Sequence, residues 1–282
     1  MFEHILVPVD GSLDSWFAVR QAIQIAKEED STLHGLFVTD RRLIEAPHWS
    51  IMEPYVISPI GGSGLTQLAL DLGRTLSIYG QHVLRQVCEQ CEQAGVTYEL
   101  EYVEGNVSRI ILERARNANI VVMGRHGVAA RWSGMLLRST FEAVVRRVTV
   151  PVLATQTEVH TITSILVAYD GSDRARDAIK FVTHLASRQN RRVVLLTVDD
   201  GWPGRKNAFE EGKALLHTRG FKLTPIFWKG HAAELILRVA RLEVCDLIVM
   251  GAHGHSRFLE VFFGSTTDEV MNRTIYPILI CH

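Results

Sequence analysis

The chain has 282 residues, 47% hydrophobic and 22% charged, enough for one large domain or two small ones and too apolar for extended disorder, collagen or a disulfide-held miniprotein. Thirty Lys and Arg against thirty-one Asp and Glu leave a formal charge of −1, so no global field attracts a long nucleic acid and none is expected as a partner. No apolar run approaches the roughly eighteen residues of a membrane span, and the start, Met1 to Pro8, has an early acid and no leader pattern, so a cytoplasmic chain without membrane association is expected.

The first apolar run, 3–9, ends in Asp10-Gly11-Ser12, and an amphipathic stretch follows in which Trp16, Val19, Ile23 and Ala26 recur at helical spacing, with Ser12 as its N-cap. A second run covers 33–38. Beyond it come Pro47, Pro54, Pro59 and Gly61-Gly62-Ser63-Gly64, read as a mobile surface loop, because no Gly-x4-Gly-Lys-Ser/Thr is present and no strand leads into it. Trp49, Met52, Tyr55 and Ile57 of this segment cover a pocket, meet a partner or pack back on the sheet, and the sequence does not choose. The stretch 65–94 reads as a long helix carrying Cys88 and Cys91 on one face. With no second Cys or His pair at metal spacing, and four cysteines in all, free structural thiols are expected, the alternative being metal binding or redox sensing by Cys88 and Cys91. Strands over 98–103 and up to Met123, a glycine-bearing loop, a helix and a Pro-led strand at 150–153 close the half.

The chain then repeats itself. Ile5 to Ser12 returns as Ile165 to Ser172 at an offset of 160 residues, and Val121-Val122-Met123-Gly124-Arg125-His126-Gly127 returns as Ile248-Val249-Met250-Gly251-Ala252-His253-Gly254 at 127. The first half thus carries 33 extra residues, placed between about 41 and 74. In the second half Ser172 is the matching N-cap, and strands are expected at 163–169, 193–198, 221–227, up to Met250, and after Pro277. Apolar runs alternating with helices imply parallel strands covered on both faces. The fold class expected is α/β: two tandem doubly wound, Rossmann-like domains, 1–157 and 162–282, each with a mainly parallel five-stranded sheet.

In such sheets ligands gather beyond the carboxyl ends of the strands. The most informative stretch there is Gly251-Ala252-His253-Gly254, nine residues, then Gly264-Ser265-Thr266 at a helix start. Glycines let backbone approach an anion, a helix N-terminus presents unpaired N–H groups, and Ser265 and Thr266 add hydroxyls. This is a phosphate cradle without a lysine. In the first half ten residues separate Gly127 from Arg138-Ser139-Thr140, so an insertion and an arginine degrade the pattern. The expectation is a first domain kept for packing and pairing; the alternative is that Arg125 and Arg138 reach an anion by side chain. His126, His253 and His255 have no Ser/Asp partners at triad spacing and are read as loop residues, and no catalytic residue is assigned.

Tyr169-Asp170-Gly171-Ser172 together with the glycines at 251–265 resembles the universal stress protein family in its tandem form, and the likeness extends over both halves. The resemblance implies an α/β fold that binds ATP through Gly251, Gly254, Gly264 and Ser265, with Thr266 a neighbour, Asp170 beside the nucleotide and the backbone near Val198 reading the adenine. Asp170 would be the residue to hold Mg2+ against the phosphates. It further implies pairing through the last strands, here 150–154 against 277–281, as an intramolecular pseudo-dimer, with homodimerisation and unidentified protein partners left open. The function expected is a stress-response regulator that binds an adenine nucleotide in its second domain. The alternatives are a nucleotide-free interaction scaffold and a slow ATPase or adenylyl- or phosphoryl-transfer enzyme.

Overall fold

A computed structural model describes residues 2–41, 62–127, 140–155, 161–217, 221–252 and 264–282. In the first half β1 (His4–Val9), α1 (Leu13–Glu29), β2 (Thr32–Asp40), α2 (Gly62–Ala94), β3 (Tyr98–Gly105), α3 (Val107–Ala115), β4 (Ile120–Gly124), α4 (Thr140–Val145) and β5 (Val152–Thr155) follow in order. The second half runs β6 (Ser164–Ala168), α5 (Asp173–Gln189), β7 (Arg192–Asp199), α6 (Arg205–His217), β8 (Leu223–Lys229), α7 (Ala232–Leu242), β9 (Leu247–Gly251), α8 (Ser265–Arg273) and β10 (Ile278–Cys281). Among the described residues no helix is long and apolar enough to cross a membrane.

The strands are continuous apolar runs because both faces are covered. Ile5 and Val7 of β1 belong to a core shared with α1, α2, α5 and α6, while Leu6 between them belongs to a second core with α3, α4, α7 and α8. All three are fully buried, each contributing about 1.5–3 kcal/mol. The helices that leave the first strand of each half start and stop by the same devices. Ser12 Oγ accepts the Ser15 N–H and Ser172 Oγ the Ala175 N–H, both at 3.2 Å. Asp30 (φ 57°) and Asn190 (φ 48°) end α1 and α5 in the left-handed region, each returning its N–H to the helix. Of the residues predicted for the buried stripe, Val19, Ile23 and Ala26 are buried and Trp16 packs partly against the core.

The sheet order is β3-β2-β1-β4-β5-β10-β9-β6-β7-β8. Every neighbouring pair is parallel except β5 and β10, which run antiparallel with Ile278 opposite Ala154, Leu279 opposite Leu153 and Ile280 opposite Val152. The two five-stranded sheets expected from the sequence are therefore fused into one of ten strands. The joint is reinforced above the sheet, where α1 and α5 meet. The Phe2 and Phe181 rings are 4.7 Å apart, and His184 Nε2 lies 2.6 Å from Oε2 of Glu29, whose side chain is only 2% exposed. Buried Arg191 pairs with Glu28 and donates to the carbonyls of Ile162 (2.8 Å) and Leu185 (2.9 Å).

One expectation is corrected. Gly62, Ser63 and Gly64 are not a loop but the first residues of α2, which has 33 residues against 13 in α6. Much of the first half's excess is thus added helix: the cost of about 1 kcal/mol per glycine near a helix start is offset by the apolar period that follows. Gly61, and the aromatic and apolar residues at 49–57, lie outside the described residues.

Candidate functional site

The second half winds outward from β6 through β7 to β8, then returns to β9 on the other side of β6. In open α/β sheets such a reversal is where ligands gather, beyond the carboxyl ends of the strands, and the two repeated signatures end at β6 and β9 on either side of it. Asp170 follows β6, its Oδ1 accepting the Ser172 N–H at 3.0 Å, and Gly171 takes φ 83° to turn the chain into α5. Gly251 ends β9 directly against that turn: a Cβ added to it would stand 2.8 Å from Arg174 Cβ and 3.1 Å from Ala175 N. The glycine is required because the helix start and the strand end touch backbone to backbone.

The far end of the glycine motif returns to the same corner. The Gly264 N–H donates to the Ala252 carbonyl at 3.3 Å, and Thr267 Oγ1 donates to the Gly251 carbonyl at 3.0 Å. Gly264 caps α8 without a side-chain acceptor, with Ser265 exposed and Thr266 half-buried in the first turn. Gly251, Gly264, Ser265 and Thr266 are therefore gathered near the start of α5, which Ser172 caps and Asp170 precedes, while Gly254, His253 and His255 lie outside the described residues. Val198 is placed one strand away. The register of β7 with β6 ends at Leu196 opposite Ala168, but β7 continues to Asp199, so Val198 lies beyond the shared ladder, opposite Trp228 of β8.

Arg205 is a residue of this corner that the sequence reading missed. Its guanidinium grips Asp200 through Nε and Nη2 at 3.0 and 2.9 Å, and its Nη1 donates to the Asp170 carbonyl at 2.8 Å. Asp170 Oδ2 is 3.7 Å from the same nitrogen. The pair holds Asp200 below the usual carboxylate range, chiefly through the hydrogen bond from Arg205, and raises Arg205 in return. Gly201 (φ 88°) and Gly204 (φ 92°) shape the turn that brings the two together. An Asp and an Arg flanking Gly-Trp-Pro-Gly was the available signal.

The first half fills its equivalent corner with its own side chains. The Tyr79 hydroxyl donates to the Asp10 carbonyl at 3.3 Å, the position Arg205 takes over Asp170, and burial with the nearby Asp10 raises its pKa. Asp14 Oδ2 accepts the His126 backbone N–H at 3.0 Å and lies 2.8 Å from His126 Nδ1. Gly127 stands so close to Asp10 that an added Cβ would be 2.7 Å from its Oδ2. Arg125, weighed above as an anion contact, is drawn into the joint instead: its Nη1 donates to the Thr274 carbonyl of the second half at 3.3 Å, and burial lowers its pKa. The reason is location, since the first strand-end loop runs beside the partner half. Arg138 and Ser139 lie outside the described residues, and Thr140 is the first residue of α4.

The cysteines pack as thiols. Cys91 is fully buried, its pKa pushed up to about 11 by burial and by Cys88, whose Sγ is 3.0 Å from the Tyr98 hydroxyl. Among the described residues no three His, Cys, Asp or Glu side chains gather as a metal site.

A family model described as "Universal stress protein family" matches residues 1–156 and 203–282. The chain is 28% identical to universal stress protein Slr1230 of Synechocystis, over 98% of this chain and 99% of that protein. It is 32% identical to universal stress protein MJ0531 of Methanocaldococcus jannaschii, over 54% of this chain and 81% of that one. The crystal structure of a universal stress protein from Archaeoglobus fulgidus superposes with a TM-score of 0.75 at 21% identity, covering 99% of this chain and 95% of the other, a likeness of fold.

Proposed function

The chain belongs to the universal stress protein family, and on that premise we propose that its second half binds an adenine nucleotide, ATP, and that occupancy sets the conformation or partnership of a stress-response regulator. The observation that carries the reading is the closure of the glycine motif: Gly251 and Gly264, thirteen positions apart in sequence, are tied together by the Gly264–Ala252 and Thr267–Gly251 hydrogen bonds at the mouth of β9. Backbone gathered without a covering Cβ, ahead of a helix start with no side-chain cap, suits phosphate oxygens. In this reading Val198, on the part of β7 beyond its ladder with β6, offers backbone groups to the base.

Asp170 is a single carboxylate with Oδ1 engaged by the Ser172 N–H and Oδ2 3.7 Å from the Arg205 guanidinium. Such a donor suits a magnesium ion carried in by the phosphates, where one or two carboxylates complete a largely hydrated shell, and not a resident metal cage. Bound there, the ion would neutralise phosphate charge. The reading is of a binding module and not of a catalyst, because the motif carries no P-loop lysine to stabilise a transferring phosphoryl group.

Arg205 favours one competing reading, a nucleotide-free scaffold in which the guanidinium over the Asp170 carbonyl is a permanent plug. Calorimetric titration of the full chain separates the two. Under our reading ATP binds with one equivalent per chain at sub-millimolar concentration. Gly264→Ala, at a backbone of φ −57° and ψ 141° that any residue adopts, keeps the fold and loses about tenfold or more in affinity. No heat of binding up to millimolar ATP refutes the nucleotide reading and leaves the glycines a packing role.

A further inference from the structure

The two halves place opposite charges at one matched position. Asp14 and Arg174 each stand four residues after the strand-end aspartate, Asp10 and Asp170, on the first turn of α1 and α5. Their surroundings match at the level of backbone. A Cβ on Gly124 would stand 2.8 Å from Asp14 Cβ, and one on Gly251 would stand 2.8 Å from Arg174 Cβ. Both side chains therefore leave from the point where the strand-end glycine loop begins.

In the first half that position holds a carboxylate already in use. Asp14, with 14% of its side chain exposed, takes the His126 N–H and faces the His126 ring. A loop amide that points at an anion has thus been given one from within the chain, and a phosphate arriving there would meet both a spent donor and a like charge. In the second half Arg174 is exposed and makes no hydrogen bond or ion pair among the described residues. A guanidinium at that point offers forked N–H donors to phosphate oxygens.

We propose that Arg174 determines the specificity of the second half for a polyphosphate, meeting the phosphate chain of the nucleotide where Asp14 supplies the first half with an internal anion. This rests on the nucleotide reading above and adds to it a side chain outside the glycine motif. Arg174 sets discrimination by charge, between a nucleoside and its di- and triphosphates.

The test uses the full chain and two ligands, ATP and adenosine, titrated into the unaltered protein, Arg174→Gln and Arg174→Asp. Arg174→Asp gives the second half the charge found in the first. ATP affinity is expected to fall about tenfold or more in Arg174→Asp and by a smaller factor in Arg174→Gln, while adenosine affinity stays within about twofold. The ATP loss shrinks as salt is raised, because the guanidinium is exposed. Unchanged ATP affinity in Arg174→Asp, or an equal loss for ATP and adenosine, overturns the assignment while leaving the nucleotide site standing. Failure of the unaltered chain to bind ATP overturns both. The side chain is exposed, so loss of fold is not expected, and thermal unfolding of each variant checks it.

Discussion

Replacing Gly124 or Gly251 by alanine separates what a glycine does for the fold from what it does for a ligand. At Gly124 the new Cβ would stand 2.6 Å from the Asp14 carbonyl carbon, 2.7 Å from Ser15 N and 2.8 Å from Asp14 Cβ. At Gly251 the corresponding contacts are 2.8 Å to Arg174 Cβ and 3.1 Å to both Ala175 N and the Arg174 carbonyl carbon. Carbon contacts settle near 3.5–4.0 Å, and the obstructing atoms are mostly backbone at the start of a 17-residue helix, so relief requires moving α1 or α5 as a body. Overpacking of this kind costs about 1–3 kcal/mol. Gly124→Ala is expected at the upper end, about 2–3 kcal/mol, and Gly251→Ala lower, about 1–2 kcal/mol, because its contacts are a few tenths of an ångström looser. Urea unfolding followed by far-UV circular dichroism measures the difference, and calorimetry should show melting lowered by several degrees. The order matters more than the size. If the glycine at the end of β4 or β9 were there only for phosphate, Gly124→Ala would be silent in the half whose loop is closed by Asp14. A change below about 0.5 kcal/mol at Gly124, the ordinary scatter of surface substitutions, would refute the steric argument.

Three further outcomes follow from the same geometry. Arg191→Met, which removes the buried ion pair with Glu28 and the guanidinium hydrogen bonds to the Ile162 and Leu185 carbonyls, should cost about 3–5 kcal/mol in urea unfolding; a neutral result would mean that the α1–α5 contact does not hold the joint. Glu101 is held below the usual carboxylate range chiefly by hydrogen bonds from Arg114, with His34 assisting, so it contributes stability above its unfolded pKa, near 4.3, that is lost as pH falls through the lower folded value. Arg114→Met should therefore be less stable than the unaltered chain at pH 7, with the gap closing below about pH 4; a gap constant with pH would refute the pairing. Alkylation by iodoacetamide at pH 8, mapped by mass spectrometry, should modify Cys88 first. Cys91 and Cys281, buried with pKa values pushed up to about 11 and about 12, should react only on unfolding, and early labelling of either would contradict their burial.

The sequence made the strands and both serine caps legible because each is a local pattern or its repeat, whereas the pairing of the last strands followed from the family resemblance. Asp-Gly-Ser marks a strand end and a helix start within three residues, and the 160-residue offset carries the reading from Asp10 to Asp170. What it did not show is action at a distance. Arg205 reaches the Asp170 carbonyl from 35 residues away, Tyr79 reaches that of Asp10 from 69, and Asp14 captures His126 from 112. None of these has a spacing rule, because the fold and not the local helix or turn brings them together. The start of α2 was misread for a different reason. Two glycines around a serine are punctuation in most settings, and only the long apolar period beyond them overrules it.

The antiparallel meeting of β5 and β10 has an outcome beyond joining two sheets. When two identical chains associate, each substitution is installed twice, and their union fades on dilution. Here the partners share one polypeptide, so their effective concentration is fixed by the linker whatever the amount of protein. Each copy is also free to change alone. The carboxylate in one corner and the guanidinium in the other are what such freedom permits: a molecule assembled by symmetry that no longer has to obey it.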